Sequence, residues 1–528
     1  MLASTRLTIG RMLRSACLAS SALIGSVLLH SPALAIVACN AADVYSLSSQ
    51  CPSTANPCII TETIRCTSTC SNSCTYDFGS KTVSLKGSAA RFEWGNPGGG
   101  PANITVSAGT IKNFHANEQN ILRFDAGGGT ITLTATTHSI DLGRNLAKSP
   151  GGTISLNAPN HTNGSCYIGT VDAQSTTSAP GGTVTFNCTG IWVYDKVDVR
   201  SGGGGAGGQV YLLTTDAVNY AGTSLTSVRI DGPLLASVPT TGSASAGGSI
   251  TIASANGIDP KPNVKITDLL DVGARLGQAG TISIDANSID ISSAGSLSAN
   301  ANAASGTEGG EITLAASGID YTFPIWIRGP ISARGEVGGT VAILVGGIAI
   351  IEKDVKVAAN YGAAGGGGVI SIRTSANNGV AGCWDCEIPG DPCYCGIPFN
   401  GDCTQNIYIA GDLLAHGTGA QGVGGIITLE APLVRLAGSG SARRVSANAT
   451  SGIDSSAGAA PGRIRVRARD SEFRPRTDYG IHHKVRSLPA TSGGEICVTQ
   501  PDGGDFSAAL PVAGCSAIPS YAAYCSPG

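Results

Sequence analysis

The sequence predicts an all-β chain, folded as a right-handed parallel β-helix: a solenoid of about a dozen coils with disulfide-rich caps at both ends. Three observations predict it. The first is an opening that recurs along the chain. It reads GGGTITL at 127–133, GGTISL at 151–156, GGTVTF at 181–186 and GGQVYL at 207–212. It returns as GGSITI at 247–252, AGTISI at 279–284, GGEITL at 309–314, GGTVAI at 338–343, GGVISI at 367–372 and GGIITL at 424–429. Looser copies are PGRIRV at 461–466 and GGEICV at 493–498. Four consecutive spacings are 32, 30, 29 and 29 residues, and a fixed period in that range marks a repeat architecture.

The second observation is the interior of each copy. In Thr340, Val341, Ala342 and Ile343 the order alternates, so one side of a strand is apolar. A second apolar burst follows (Ile348 and Ile350, Ile289 and Ile291, or Ile319 and Tyr321), then a third (Val355 and Val357, or Leu297). Three short strands and three turns make one coil. Alone, a coil cannot bury its apolar side; stacked at about 4.8 Å per coil it can. The third observation is glycine, 74 of 528 residues, set at coil corners where the chain must turn sharply, often with φ > 0, against an identical turn above and below. A flexible linker is equally rich in glycine, but it does not keep Ile, Val and Leu in alternating register.

Taken in order, residues 1–35 read as an export signal. Arg6, Arg11 and Arg14 precede an apolar run around Leu18–Leu29, and Ala33-Leu34-Ala35 supplies the cleavage pattern. The competing reading is a lipoprotein signal ending at Cys39. Without Cys17, cleavage after Ala35 leaves an even sixteen cysteines, and lipidation of Cys39 would leave fifteen. Export to the cell surface or medium makes disulfides the default state of those cysteines. Cleavage also removes three arginines, so 33 − 3 = 30 Lys and Arg stand against 36 Asp and Glu. A net charge near −6 gives no global attraction to nucleic acid. No permanent membrane span is expected, and the chain is expected to be a monomer.

Residues 36–76 read as an N-terminal cap holding Cys39, Cys51, Cys58, Cys66, Cys70 and Cys74. No histidine lies nearby, so three disulfides are a better reading than a metal site. A solenoid needs its open edge covered against pairing with other chains. Coils run over 77–486. Cys166 and Cys188 lie near strands of successive coils and are expected to bond. The block 382–403, GCWDCEIPGDPCYCGIPFNGDC, reads as an insertion from one turn. Its cysteines, Cys383, Cys386, Cys393, Cys395 and Cys403, staple a loop or, alternatively, hold zinc. Loops of this kind carry recognition, which makes Trp384, Asp385, Tyr394 and Phe399 binding candidates. The segment 463–486 carries eight Lys or Arg against three acids. Arg463, Arg465 and Arg467 alternate along one strand face, as a docking patch for anionic glycan or as a solvated end. Residues 487–528, with Cys497, Cys515 and Cys525, read as a C-terminal cap.

The Asp77-Phe78-Gly79 strand start, the GGxIxL coils and the run Ser293–Asn300 resemble Gly-rich secreted β-helix proteins of bacteria. The chain is broadly similar to filamentous-haemagglutinin-type adhesins and, in fold, to the pectate-lyase-like superfamily. The resemblance covers roughly 75–500 and implies architecture rather than activity. The long regular repeat, the decorated loop and the lack of a convincing catalytic cluster, together with that fold-level analogy, lead us to expect a non-enzymatic adhesion or structural role at the surface, with a glycan or the cell envelope as partner.

Two other functions have residues to offer. Polysaccharide lyases and hydrolases use clustered carboxylates with a basic group, in some cases with Ca²⁺. Asp290 and Asp320 each lie nine residues after a repeat strand begins, so they are expected to stack, with Arg328 and Arg334 following. No other cofactor is expected. Outward hydroxyls on the first strand (Thr130 and Thr132, Thr153 and Ser155, Thr183 and Thr185, Ser249 and Thr251, Thr281 and Ser283) form a T-x-T column of the kind an ice-binding face presents. Gln209, Tyr211, Glu311, Ala342 and Arg465 interrupt it, and threonine also favours exposed strand positions generally.

Overall fold

The repeated hexads become the strands of one long sheet. The computed structural model describes residues 35–374, apart from 96–100, 116, 160–163, 216–226, 240–244, 256, 258–260, 302–306, 318–324 and 358–364. It also describes 407–417, 424–431 and, beyond those, backbone strands between Val434 and Pro527. Fifteen strands, beginning at Ser73–Asp77, form a sheet that is parallel up to its last pair. Its register is unbroken: Thr130 pairs with Thr153, Thr153 with Thr183, and Thr183 with Gln209. The second and third strands of each coil form a twenty-six-stranded parallel sheet. In three coils the two merge into single long strands, Ile140–Lys148, Ser165–Asp172 and Gly190–Asp198, with register shifts in the middle. These pairings are those of an all-β parallel solenoid.

Alternation decides what is buried. Ile131, Leu133, Ile154, Leu156, Val184 and Phe186 are all fully buried and stack in register. Each such side chain contributes about 1.5–3 kcal/mol. Near the N-terminal end the aliphatic ladder gives way to aromatic rings. Tyr76 packs on Phe92 at 5.0 Å between centroids, and Phe92 stacks on Phe124 at 5.6 Å. The Tyr76 hydroxyl donates to the Ala38 carbonyl at 2.7 Å, and burial pushes its pKa up.

Of the two causes expected for the glycine pairs, packing against the turns above and below is the general one. Among the described pairs only Gly127, Gly128 and Gly151 have positive φ. Elsewhere the reason is close approach between coils. A Cβ on Gly280 would lie 1.8 Å from the Gly248 carbonyl oxygen. That same carbonyl accepts the Thr281 amide at 3.1 Å, so coils meet backbone to backbone at these corners.

Within 36–76, the helix Ala41–Leu47 is started by a capping box. Asn40 accepts from the Asp43 amide at 3.1 Å, and Asp43 accepts from the Asn40 amide at 3.2 Å. The later strands of this segment, Cys58–Ile60, Thr63–Cys66 and Ser73–Asp77, already pair in parallel with those of the next coil. The segment therefore also contributes strands to the stack. Its six cysteines form three disulfides, Cys39–Cys70, Cys51–Cys58 and Cys66–Cys74, and a fourth joins Cys166 to Cys188 across successive coils. Four disulfides point to an oxidising environment, and Cys39 spends on Cys70 the thiol that the lipoprotein reading requires. Among the described residues, no helix is long and apolar enough to cross a membrane. The last strand, Ala522–Pro527, runs antiparallel to Glu495–Gln500 and sets Cys497 opposite Cys525. Cys515 lies outside the described residues, as do residues 1–34.

Candidate functional site

In the second strand of five consecutive coils, two inward apolar residues flank one outward residue. The triplets Ile191-Trp192-Val193, Val228-Arg229-Ile230, Val264-Lys265-Ile266, Ile289-Asp290-Ile291 and Ile325-Trp326-Ile327 place their middle members in a single column. Tyr167 and Asp141 continue it on the N-terminal side. The result is a stripe of aromatic and charged side chains along the solenoid.

Trp192 is held firmly. Tyr194, two residues on, stacks against it at 4.3 Å, and the Arg229 guanidinium lies 4.5 Å from the ring centroid. Its indole N–H donates to Asp231 Oδ2 at 2.8 Å. The same oxygen receives Arg229 Nε at 2.7 Å, and Oδ1 accepts from the Thr267 hydroxyl at 2.9 Å. Four coil steps away the arrangement recurs. The Arg328 guanidinium lies 4.2 Å from the Trp326 ring, whose N–H donates to Glu352 at 3.0 Å. Arg328 Nη2 also bonds Asp290 Oδ1 at 2.6 Å. Two tryptophans are thus each fixed by an arginine over the ring and a carboxylate on the N–H. Both remain partly exposed, as do Tyr167 and Tyr194.

The electrostatics follow from this bonding. Burial pushes the Asp231 carboxyl up, but the hydrogen bonds from Arg229, Trp192 and Thr267, with the Arg229 charge, outweigh it and hold the group below the usual carboxylate range. In the buried Asp198, desolvation is likewise overcome by bonds from Arg200 and by the charges of Arg200 and Lys196. Burial first, then Asp141 and Tyr167, raise the Tyr194 phenol and keep it a neutral donor. A carboxyl whose folded pKa is depressed adds stability above its unfolded pKa, about 3.9 for Asp, and loses it as pH falls through the folded value. The melting temperature is therefore expected to fall steeply below about pH 4, and less steeply in Asp231→Asn. Identical acid slopes for the two proteins would show that Asp231 is not held as described.

The expected Asp290–Asp320 pair requires correction. Asp290 stacks on Trp326 and Lys265. One residue, Asn287, links the first and second strands in the coil of Asp290, whereas residues 317–324 intervene in the next coil. Counting from the strand start therefore slips: the strand that follows Glu311–Ala316 is Ile325–Ile327, and Ile319 and Tyr321 lie outside the described residues. Asp320 itself lies outside the described residues. Asp290 is engaged by Arg328, as part of an ion pair.

Trp384, Asp385, Tyr394, Phe399 and the five cysteines of 382–403 also lie outside the described residues. Arg463, Arg465 and Arg467 stand in register with Ile426, Thr428 and Glu430 on the fifteen-stranded sheet. On that sheet the hydroxyl column is in register from Thr130 to Thr185, and Gln209 and Tyr211 interrupt it before it resumes at Ser249 and Thr251. Beside it runs a shallow groove of about 690 Å³, floored by glycine pairs and flanked by Gln209, Gln278, Glu308 and Glu311. No family model matches this chain, and neither a curated protein nor a solved structure matches it.

Proposed function

We propose that this is an exported, non-enzymatic adhesion or structural protein of the cell surface or medium, and that the stripe from Tyr167 to Trp326 holds a glycan. We read the solenoid as right-handed, with about a dozen coils. The observation that carries the reading is the repeated fixing of a partly exposed tryptophan by an arginine and a carboxylate. Rigid aromatic surface beside fixed donors and acceptors suits a sugar, whose ring offers C–H faces and whose rim offers hydroxyls. The coil rise, about 4.8 Å, is comparable to the advance of one pyranose in an extended polysaccharide, so chain and stripe can run in step.

Hydrolytic turnover would call for a carboxylic acid held neutral near neutral pH. The described carboxyls whose pKa moves, Asp198 and Asp231, both move down. The regular part of the hydroxyl column favours a second reading, an ice-binding face, which thermal hysteresis of the exported chain would reveal.

The test is titration calorimetry of the exported chain, disulfides intact, against a panel of polysaccharides, with a parallel assay for new reducing ends. Binding without turnover is expected. Trp192→Ala should weaken it by about tenfold or more, as loss of a central aromatic anchor does. Turnover that Asp290→Ala abolishes would sink the non-enzymatic reading.

A further inference from the structure

We infer that Arg229 and Lys265 form a docking point for an anionic substituent, carboxylate or sulfate, on the glycan. The inference rests on the glycan-binding reading above and specifies its ligand. Strands Val228–Ile230 and Asn263–Ile266 pair with Arg229 directly opposite Lys265. Both side chains leave the same face of the sheet, from backbone positions about 4.8 Å apart. Like charges set directly opposite each other destabilise a sheet, so the pair calls for a counter-charge.

The chain supplies only part of it. Asp231 binds Arg229 through Nε, and its remaining capacity goes to Trp192 and Thr267. Lys265 has no hydrogen-bond or ion-pair partner among the described residues, and the Arg229 Nη groups donate no hydrogen bond there. The next residue along the column, Asp290, is bonded by Arg328 at 2.6 Å. Asp268, beyond the strand, accepts from the Leu269 amide. Of the two cations only Arg229 has a carboxylate partner, and that carboxylate is already engaged by Trp192 and Thr267, beside the aromatic surface of Trp192 and Tyr194. An oxyanion seated between the two cations would take a planar guanidinium fork on one side and a point charge on the other. The attached sugar ring would lie toward Trp192.

The probes are three dextrans of matched length: unmodified, carboxymethylated and sulfated. Each is titrated into the full exported chain at low and at high salt. One charged dextran should bind at least about tenfold tighter than the neutral one, a factor worth about 1.4 kcal/mol, and the advantage should shrink with salt. Which of the two binds more tightly identifies the anion as carboxylate or sulfate. Arg229→Gln and Lys265→Gln should each lose most of the preference. Lys265→Gln should melt no lower than the parent, because it removes a repulsion; a purely structural lysine would lower the melting temperature instead. Equal affinity for all three dextrans, or a preference that Lys265→Gln leaves intact, overturns the inference. Binding to the neutral panel without charge preference leaves the glycan reading standing, whereas no binding to any glycan overturns both.

Discussion

Gly280→Ala is expected to destabilise the solenoid by about 3 kcal/mol or more, at the upper end for overpacking, because nothing near it can give way. The added Cβ would meet the Gly248 carbonyl oxygen at 1.8 Å and the backbone carbons of Gly247 and Gly248 at 2.8 Å. These are main-chain atoms committed to hydrogen bonds. Gly280 donates to Val272 at 2.8 Å and accepts from Glu311 at 3.1 Å, so shifting it strains contacts with coils on both sides. Gly257→Ala provides the control. Gly257 has φ +62° and nothing within 4 Å of a built Cβ, so that variant meets only left-handed strain, about 1–2 kcal/mol. Repeat proteins can lose coils locally, so hydrogen exchange along 247–314 is the better readout beside bulk melting. If Gly280→Ala costs no more than Gly257→Ala, the close-approach account of the glycine pairs is wrong.

That comparison also shows how far the sequence could be read. Strand positions were legible because alternation maps directly onto burial: Ile282 and Ile284 point inward, and Thr281 and Ser283 outward. The period gave stacking, and with it the bond between Cys166 and Cys188 in neighbouring coils. The glycines were legible as turns stacked on turns, but not how seldom they take positive φ, because a lone sequence does not distinguish a left-handed corner from a close approach. Only the carbonyl in the next coil makes the difference.

The site was less legible, since it depends on register between second strands. Connection length sets that register, and it varies from Asn287 alone to the residues 317–324. Counting from the repeat start therefore put Asp320 beside Asp290, where Trp326 stands. A usable signal was present nonetheless. Aligning on the apolar–x–apolar triplet, rather than on the glycine pair, brings Trp192, Arg229, Lys265, Asp290 and Trp326 into one column. The partners that fix those residues, such as Asp231 for Trp192, arise from side-chain geometry that spacing alone does not encode.

Glu118→Ala is expected to cost about 3–5 kcal/mol, because it strands a buried guanidinium. Arg123, on the strand Leu122–Asp125, has a side chain 0% exposed. Its Nη1 donates to the carbonyls of Gly87 and Ala90 at 2.7 and 2.9 Å, and its Nη2 to Glu118 at 2.5 Å. Burial lowers the Arg123 pKa and Glu118 partly restores it, but a guanidinium stays protonated regardless. Removing the carboxylate therefore leaves a cation with dipoles for company and no counter-charge. It also frees the Gly87 amide, which Glu118 accepts at 2.7 Å. The double variant Glu118→Leu with Arg123→Met separates charge from packing. Replacing both ions with apolar groups of similar volume is often neutral or stabilising, so the double variant should melt well above Glu118→Ala. If the two melt together, the cost lies in the lost shape and the Gly87 contact, and the buried charge is not what makes Glu118 necessary. If the double variant recovers, the pair is a device for closing the turn at 87–90 that an apolar plug would replace.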